Sequence, residues 1–351
     1  MNVPELMTQI RLEMTGDLKK DMEYLTTLAE DLRKEPNADE LTKAVMDHAF
    51  SIMPEDVRKD MEDRTMIGGK RLDLIYRDAL ALVDAKKMSE AKELLAALSD
   101  KIAQYFEGDD PKYFSFRNPF EYHMYRHFYP EDTNFDRAPF DFSAYLSLYG
   151  YVLIEERDIP AARKVLLRAQ KFDPVSADAR FEMAELCKLA NNMPDLLKVN
   201  QETLPLCTSA DRMARVLANM GYYCYVTQDF YSAAVFYFES VRFSPSKAVE
   251  YELQDVVRRM NTFGQKFAPP TKGQTLDVYE KYSMKQPPNS ELVNLAVVMI
   301  QQAHNYNRTD LEAFFIRCAY DLTNDPQFRE AMERIAAQKR AEMQNQQEEP
   351  K

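Results

Sequence analysis

Two histidines in the first half of the chain have a spacing that could support metal chemistry. His123 and His127 are four residues apart, so on a helix they share a face, with Glu121 and Asp132 close in sequence. Met124 stands where the zinc-protease motif needs its general-base glutamate, and no third ligand can be identified. We interpret both as surface or partly packed histidines and expect no cofactor. A metal near His123 and His127 is the enzymatic alternative.

Other catalytic signatures are also missing from the sequence. No nucleophile–base pair or glycine-rich phosphate loop emerges, and Gly68-Gly69-Lys70 lacks the upstream Gly and the following Ser or Thr of that loop. The cysteines form no Cys-x-x-Cys pair, which favours buried, reduced thiols. They are Cys187, Cys207, Cys224 and Cys318. The sequence therefore predicts a protein that is not an enzyme.

The composition limits which classes of partner and which cellular location we expect. The 351 residues carry a formal charge of −12, which gives no electrostatic support for binding nucleic acid. The N-terminus has no apolar core of signal-peptide length, and no segment approaches the roughly 20 apolar residues that span a bilayer. We expect a cytoplasmic protein whose partners are neither nucleic acid nor membrane.

The segment from Ser143 to Ser176 predicts two short antiparallel helices. Asp158 suits the N-cap of the second helix, and Pro160 lies in its first turn. Gly150 lies inside the first helix, at a cost of about 1 kcal/mol that is tolerated where another backbone approaches closely. The apolar positions at helical spacing are Leu146, Tyr149, Leu153 and Ile154 in the first helix, and Ala162, Leu166 and Ala169 in the second. Such a hairpin needs neighbours to bury its apolar face.

This segment resembles a tetratricopeptide repeat (TPR), whose small, bulky and closing proline positions it matches over 34 residues. The matching residues are Gly150, Ala162, Ala169 and Pro174; Leu146 and Leu153 replace the motif's Trp and Tyr. A second copy lies 71 residues later, with Gly221, Phe230, Ala233, Tyr237 and Pro245 in register. The same offset backwards reaches Ala91, and a degenerate unit begins at Ala177. The resemblance implies an all-α, right-handed solenoid of TPR-like hairpins, and we expect a bacterial member.

The sequence predicts five parts along the chain. They are an N-terminal helical region (1–70), TPR-like repeats (71–260) with an aromatic-rich insertion (107–142), a linker (261–289), a C-terminal helical hairpin with a capping helix (290–344) and a disordered tail (345–351). In the N-terminal region we expect helices over 17–34, 38–51 and 54–65, with Gly68-Gly69 as a hinge. The first has a helix–helix seam of Leu18, Met22, Leu25, Ala29 and Leu32. This seam fits a bundle or a dimer contact, so the oligomeric state stays open.

The insertion at 107–142 is the least regular part of the repeat region. It carries eleven Phe or Tyr and four prolines, and only Pro119 to Phe128 suggests a helix. Because aromatic side chains bury much area each, the insertion can pin itself along the solenoid. The alternative is a wall, plug or lid over the groove, since long ordered loops are often functional.

In TPR proteins the first helices of successive repeats line a concave surface that takes peptides or partner helices. Carried over by register, that implication selects Tyr151 from the first good unit, Phe181 from the degenerate one, and Arg215, Tyr222 and Tyr225 from the last. Tyr and Phe with a few charges suit mixed apolar and polar contacts, although packing between repeats also explains them. The resemblance therefore implies a scaffold that docks a protein partner. The alternative is a peptide-sensing regulator that acts on a protein.

Overall fold

The computed structural model describes residues 2–32, 37–108 and 112–348. These residues form eighteen α-helices, two two-stranded sheets and a short 3-10 turn, so the all-α prediction is confirmed. The chain divides into two compact units, Met1–Leu72 and Asp73–Lys351.

The N-terminal unit is a small helical bundle followed by a β-hairpin. Its elements are α1 (Val3–Glu13), α2 (Leu18–Asp31), α3 (Ala38–Ile52), α4 (Glu55–Thr65), β1 (Met66–Ile67) and β2 (Lys70–Arg71). The core joins Leu6 and Ile10 of α1, Leu25 and Ala29 of α2, and Leu41 and Val45 of α3. The α2 seam is therefore used inside the bundle, whereas its use as a dimer contact stays a prediction.

Two local features fix the ends of these elements. Asp21 is buried and accepts hydrogen bonds from the backbone N–H of Thr15 at 2.7 Å and of Gly16 at 3.0 Å, which closes the α1–α2 turn. Gly68 and Gly69 both have positive φ, 58° and 77°, and form the two-residue turn of the β1–β2 hairpin. The glycines predicted as a hinge thus serve a tight turn that needs left-handed backbone at both positions.

The second unit begins with two helices and the insertion. Its first elements are α5 (Leu72–Asp84, whose first residue closes the N-terminal unit), α6 (Met88–Phe106), β3 (Lys112–Phe114), α7 (Pro119–Phe128) and β4 (Phe135–Arg137). Three helical hairpins follow: α8 (Phe142–Glu155) with α9 (Ile159–Phe172), α10 (Asp178–Leu189) with α11 (Met193–Thr203), and α12 (Ala210–Val226) with α13 (Phe230–Phe243). The 3-10 turn Leu204–Leu206 lies between α11 and α12.

The C-terminal part of this unit contains five further helices. They are α14 (Lys247–Thr262), α15 (Lys272–Lys281), α16 (Ser290–Asn305), α17 (Thr309–Thr323) and α18 (Pro326–Glu348). The segment 261–289, predicted as a linker, packs on the repeats: Tyr279 is buried against Phe236, and Gln201 donates to the Tyr282 carbonyl at 2.7 Å. Of the predicted disordered tail, the α18 backbone runs to Glu348 and residues 349–351 lie outside the described residues.

In two of the hairpins, α8–α9 and α12–α13, the helices meet where the sequence places a glycine. A Cβ at Gly150 would lie 2.4 Å from Leu166 Cδ2, and one at Gly221 would lie 2.6 Å from Tyr237 Cδ1. The equivalent pairs are 71 residues apart, as the repeat register predicts. In both hairpins the approaching group is a side chain of the second helix rather than its backbone. The predicted close approach is confirmed, with the partner corrected.

The turns within the hairpins share a geometry that the sequence does not reveal. In each turn, the residue two positions before the second helix begins is not a glycine and has a positive φ. These residues are Lys86, Arg157, Asn191, Gln228 and Asn307. The following backbone N–H then bonds back to the first helix, as in Asp158 N to Leu153 O at 2.9 Å. Asp158 also accepts from Ala161 N, which confirms the predicted N-cap. The second helix of the last hairpin, α17, begins at Thr309 and has Arg308 as its N-cap, without a side-chain capping bond.

The insertion contains the predicted helix and two strands that the sequence did not predict. α7 spans Pro119–Phe128, capped by the Asn118 side chain on Glu121 N at 3.0 Å. β3 and β4 pair in parallel with Phe114 opposite Arg137. Three-residue strands are too short to show the alternation by which a strand is recognised.

Aromatic packing holds the insertion on the repeats. Phe120, Met124 and Tyr125 belong to the main core together with Phe181 and Phe315. Phe120 is 2% exposed, and its ring centroid lies 6.4 Å from that of Phe315 in α17. The pinning interpretation accounts for these contacts.

A buried ionic cluster adds a second attachment. Arg117 donates its Nε to Glu121 at 2.9 Å, and its guanidinium also pairs with Asp178 at the start of α10. Arg212 of α12 contacts Asp178 at 2.7 Å. The insertion is therefore tied by charge to α10, through an aspartate that α12 also contacts.

Asp173, at the end of α9, is the most buried acid of this cluster. It is 1% exposed, and its Oδ1 accepts from Val175 N at 3.2 Å and Ser176 N at 3.0 Å. Its Oδ2 is buried without a hydrogen-bond partner among the described residues. Burial, reinforced by the nearby Glu121 carboxylate, raises the pKa of Asp173 to about 8.

Candidate partner-binding face

Three first helices carry the five residues predicted to contact a partner. Tyr151 lies on α8, Phe181 on α10, and Arg215, Tyr222 and Tyr225 on α12. Tyr222 and Arg215 are seven residues apart, so two helical turns place them on one side of α12. Phe181, Arg215 and Tyr222 take part in contacts between α10 and α12, and Tyr225 contacts α14. The α10–α12 face is defined here by Phe181, Glu185, Lys188, Arg215 and Tyr222.

At one end of this face an arginine covers an aromatic ring. The Arg215 guanidinium lies 4.4 Å from the Phe181 ring centroid, and its Nη2 lies 3.5 Å from Glu182 and 3.8 Å from Glu185. Phe181 is only 4% exposed and belongs to the core. Predicted as a contact residue, it instead supports Arg215, whose side chain is 44% exposed. Burial raises the pKa of Glu182, although Arg215 opposes this.

At the other end the arrangement is reversed: the cation lies on α10 and the aromatic ring on α12. Lys188 of α10 lies 5.8 Å from the Tyr222 ring centroid of α12, and its Nζ lies 2.6 Å from Glu185 Oε1. Glu185 thus lies between the two cations that interact with aromatic rings. These two pairs run in opposite directions between α10 and α12, which fixes the relative position of the helices on this face.

A buried polar chain continues from the face into the repeat. Lys188 Nζ donates to Asn219 Oδ1 at 3.1 Å, and Asn219 Nδ2 donates to Asn200 Oδ1 at 3.4 Å. Asn219 and Asn200 are both buried, and Asn200 Nδ2 has no partner among the described residues. Lys188 is therefore held from below by Asn219 and from the side by Glu185.

The remaining two predicted residues lie beside this face. The Tyr225 hydroxyl is 3.5 Å from Asp255 of α14, and its ring contacts Phe230 at 5.9 Å between centroids. Tyr151 is half-buried on α8 and makes no hydrogen bond or ring contact with other described residues. The structure thus connects Tyr225 to α14 and leaves Tyr151 outside the α10–α12 contacts.

The repeat register of the sequence selected the aromatic residues of this face and Arg215, and it also places Glu185 and Lys188 at inward positions. Glu185 and Lys188 follow Phe181 at helical spacings of four and seven, which was the available signal. Asn219 and Asp255 carry no such signal in the sequence, because their contacts depend on how separate helices pack. With its cations already paired, the face offers the half-buried Tyr222 ring beside paired charges rather than one strongly charged site.

The two histidines of α7 have different surroundings. The His123 ring packs 5.8 Å from that of Phe315, and burial lowers the pKa of His123. His127 Nε2 lies 3.5 Å from Glu291. Across the described ranges, no three His, Cys, Asp or Glu side chains are placed to hold a metal ion. The cysteines Cys187, Cys207 and Cys224 are buried, and Cys318 is half-buried.

The solved structures that are similar to this chain include the following two. One is PilF of Pseudomonas aeruginosa, with 12% identity and a TM-score of 0.39 over 75% of this chain and 97% of that chain. The other is the APC/C hetero-tetramer Cut9–Hcn1, with 10% identity and a TM-score of 0.41 over 95% of this chain. This chain spans 54% of the length of that second structure's chain. No protein-family model matches the sequence, and no curated protein matches it.

None of the helices in the described part of the chain is both long enough and apolar enough to span a bilayer.

Proposed function

We propose that this protein is a non-enzymatic interaction module that docks a segment of a partner protein on its first helices, with the α10–α12 face at the centre. The observation that carries the proposal is the pairing of Lys188 with Tyr222 and of Arg215 with Phe181 on either side of Glu185. The Arg215 side chain is 44% exposed, and surface ion pairs such as those it makes with Glu182 and Glu185 contribute at most about 1 kcal/mol. A partner can therefore replace the contacts of Arg215 at little cost, whereas Lys188, which is bonded to Glu185 and Asn219, keeps its position beside Tyr222.

The chemistry of the face indicates what kind of segment it takes. Tyr222 and Tyr225 offer half-exposed rings with hydroxyl groups, a combination enriched at protein interfaces. Lys188 and Arg215 can pair with carboxylates, whereas Glu185 and Asp255 can accept from amides or cations. A segment with an apolar side chain and flanking polar groups meets all of these requirements.

A photo-cross-linking experiment tests this proposal in cells of the source organism. A photoreactive phenylalanine analogue replaces Tyr222 or, as a matched control, Tyr306, which is 78% exposed on another part of the same unit. We expect discrete cross-linked proteins from position 222 that are absent from position 306, identified by mass spectrometry. The same species from both positions, or none from 222, would contradict the proposal.

A binding titration with the captured partner then separates recognition from folding. Tyr222→Ala with Tyr225→Ala should weaken binding about tenfold or more, as expected for truncated interface aromatics. The double variant should keep wild-type helicity and cooperative unfolding. Loss of folding in this variant would instead show that both tyrosines serve the core.

A further inference from the structure

The insertion carries an aromatic pocket on its own surface, away from the residues of the α10–α12 face. The insertion pocket, with a volume of about 310 Å³, is lined by Phe114, Phe116, Tyr122, Phe135 and Arg137 together with the start of α7. Phe116, Tyr122 and Phe135 stand at steep angles to one another, with centroid distances of 6.1 to 6.3 Å. Phe116 and Phe135 are half-buried, and Tyr122 is 41% exposed.

The pocket is built on ordered elements. Phe114 is buried and lies opposite Arg137 in the β3–β4 register, and Ala138 N donates to Phe114 O at 2.8 Å. Phe116 packs 5.3 Å from Tyr125, which belongs to the main core. Phe114 and Phe116 are therefore anchored to the core, and a site formed in advance saves the cost of ordering it on binding.

Arg137 supplies a positive charge on the Phe135 side of β4. Side chains alternate along a strand, so Arg137 and Phe135 share a face, whereas Asp136, which also lines the pocket, has the alternate register. Arg137 is exposed and makes no ion pair within the described residues. By contrast, Arg117 is paired with Glu121 and Asp178. In a chain with a net charge of −12, a free guanidinium beside an aromatic pocket favours a negatively charged neighbour.

A polar cleft extends the pocket in one direction. It shares Phe116, Arg117 and Arg137 with the pocket and has a volume of about 560 Å³. It continues along Ser115, Pro139 and Phe140 to Asp141. An extended peptide that fills the pocket with one side chain can leave along this cleft past Arg137. The aromatic walls disfavour a charged side chain inside the pocket, since a buried charge without a partner is costly.

We infer that the insertion pocket binds a peptide segment of another protein that places one large apolar side chain among the three rings and a carboxylate beside it on Arg137. This site is independent of the α10–α12 face. It gives the insertion a recognition role in addition to its packing on the repeats. The apolar side chain supplies affinity, and the ion pair fixes the direction of the peptide.

Selection from a displayed library of random 12-residue peptides tests the inference without a known partner. The targets are the wild-type chain, Arg137→Glu and the matched control Arg258→Glu, which reverses an exposed arginine of α14. We expect the wild type and the control to enrich the same motif, a large apolar residue with Asp or Glu next to it. Arg137→Glu should enrich Lys or Arg at the acidic position. No enrichment on the wild type, or one motif on all three targets, would overturn the inference.

The affinities of one enriched peptide for a set of variants then show which surface of the molecule it binds. Arg137→Glu should weaken its binding about tenfold, and the peptide with its acid replaced by Lys should recover that loss. Tyr122→Ala should also weaken binding, because it removes one wall of the pocket. The Tyr222→Ala, Tyr225→Ala double variant should bind the peptide as the wild type does. A loss of binding in that double variant would place the peptide on the α10–α12 face and overturn the inference.

Discussion

The hairpins and the insertion of the second unit are held together by different means. In α8–α9 and α12–α13 the helices meet where a glycine receives a large side chain, Leu166 on Gly150 and Tyr237 on Gly221. The insertion lacks such a repeated contact and depends on buried rings and on the ionic cluster around Arg117. The hairpin contact recurs at a fixed spacing of 71 residues, whereas each contact of the insertion occurs once.

This difference indicates whether a substitution in the hairpins or in the insertion affects other elements of the unit. A hairpin contact is set by local spacing, and each hairpin packs mainly on its neighbours. The insertion contacts α10 through Asp178, which Arg212 of α12 also contacts, and α17 through Phe315. Its loss should therefore loosen several elements at once, and its substitutions should have the larger effects.

The largest expected effect comes from removing the central ring of the insertion. Phe120→Ala should lower the free energy of unfolding of the second unit by about 3–5 kcal/mol, because it leaves a cavity at a site that is 2% exposed. The measurement is chemical denaturation followed by circular dichroism. Phe263→Ala is the control, since Phe263 is 62% exposed and should change stability by only about 0.5 kcal/mol. Equal effects of both would show that the insertion does not pin the repeats.

The ionic cluster predicts a pH dependence that belongs to the insertion. The pKa of Asp173 is raised to about 8 in the folded chain, so folding takes up a proton between the ordinary Asp pKa, near 4, and pH 8. Stability should therefore fall as the pH rises through this window and level off above it, with a loss of up to about 3 kcal/mol between pH 6 and pH 8.

The substitution Asp173→Asn isolates this contribution. Asparagine keeps an acceptor for Val175 N and Ser176 N but does not titrate, so the fall between pH 6 and pH 8 should disappear. Hydrogen exchange at the α7 amides, followed across this range in both proteins, gives the measurement. Parallel pH profiles for the two proteins would refute a protonated Asp173. Other buried acids, such as Asp141 and Glu182, titrate in both proteins and cancel in the difference.

The hairpin contacts predict smaller and graded effects. Gly221→Ala should destabilise the unit by about 1–3 kcal/mol, because its Cβ would lie 2.7 Å from Tyr237 Cγ and a ring cannot move aside locally. Gly150→Ala should cost less, since Leu166 can change its rotamer. Gly273→Ala in α15 has open space and should stabilise by about 0.5–1 kcal/mol. Thermal denaturation of the three variants should rank them in this order, and a stabilising Gly221→Ala would disprove the contact.

The comparison between the hairpins and the insertion also shows how much could be predicted from the sequence. The hairpins could be predicted, since Gly150, Ala162 and Asp158 mark local spacing and capping that recur in the second copy. The strands β3 and β4 could not, because three residues carry no pattern. The pairing of Glu185 with Lys188 had a helical spacing to suggest it. The contacts of Arg117 with Asp178 and of Tyr225 with Asp255 depend on the packing of distant segments, which one sequence does not encode locally.

The smallest expected effect compares two equivalent caps. Asp158 accepts from Ala161 N, and Asp229 accepts from Ser232 N in the same place of the next good hairpin. Asp158→Ala should cost about 1 kcal/mol, the usual worth of an N-cap.

Asp229→Ala should cost about 2 kcal/mol, because Asp229 also accepts from Lys281 Nζ and the Tyr282 hydroxyl at the end of α15. The difference between the two variants, measured by chemical denaturation, reports the docking of the 261–289 segment on the repeats. Adding Tyr282→Phe should reduce that difference, since it removes one of the two extra hydrogen bonds. If both caps cost the same, the segment contributes nothing through Asp229, and its attachment rests on Tyr279 and on the bond from Gln201 alone.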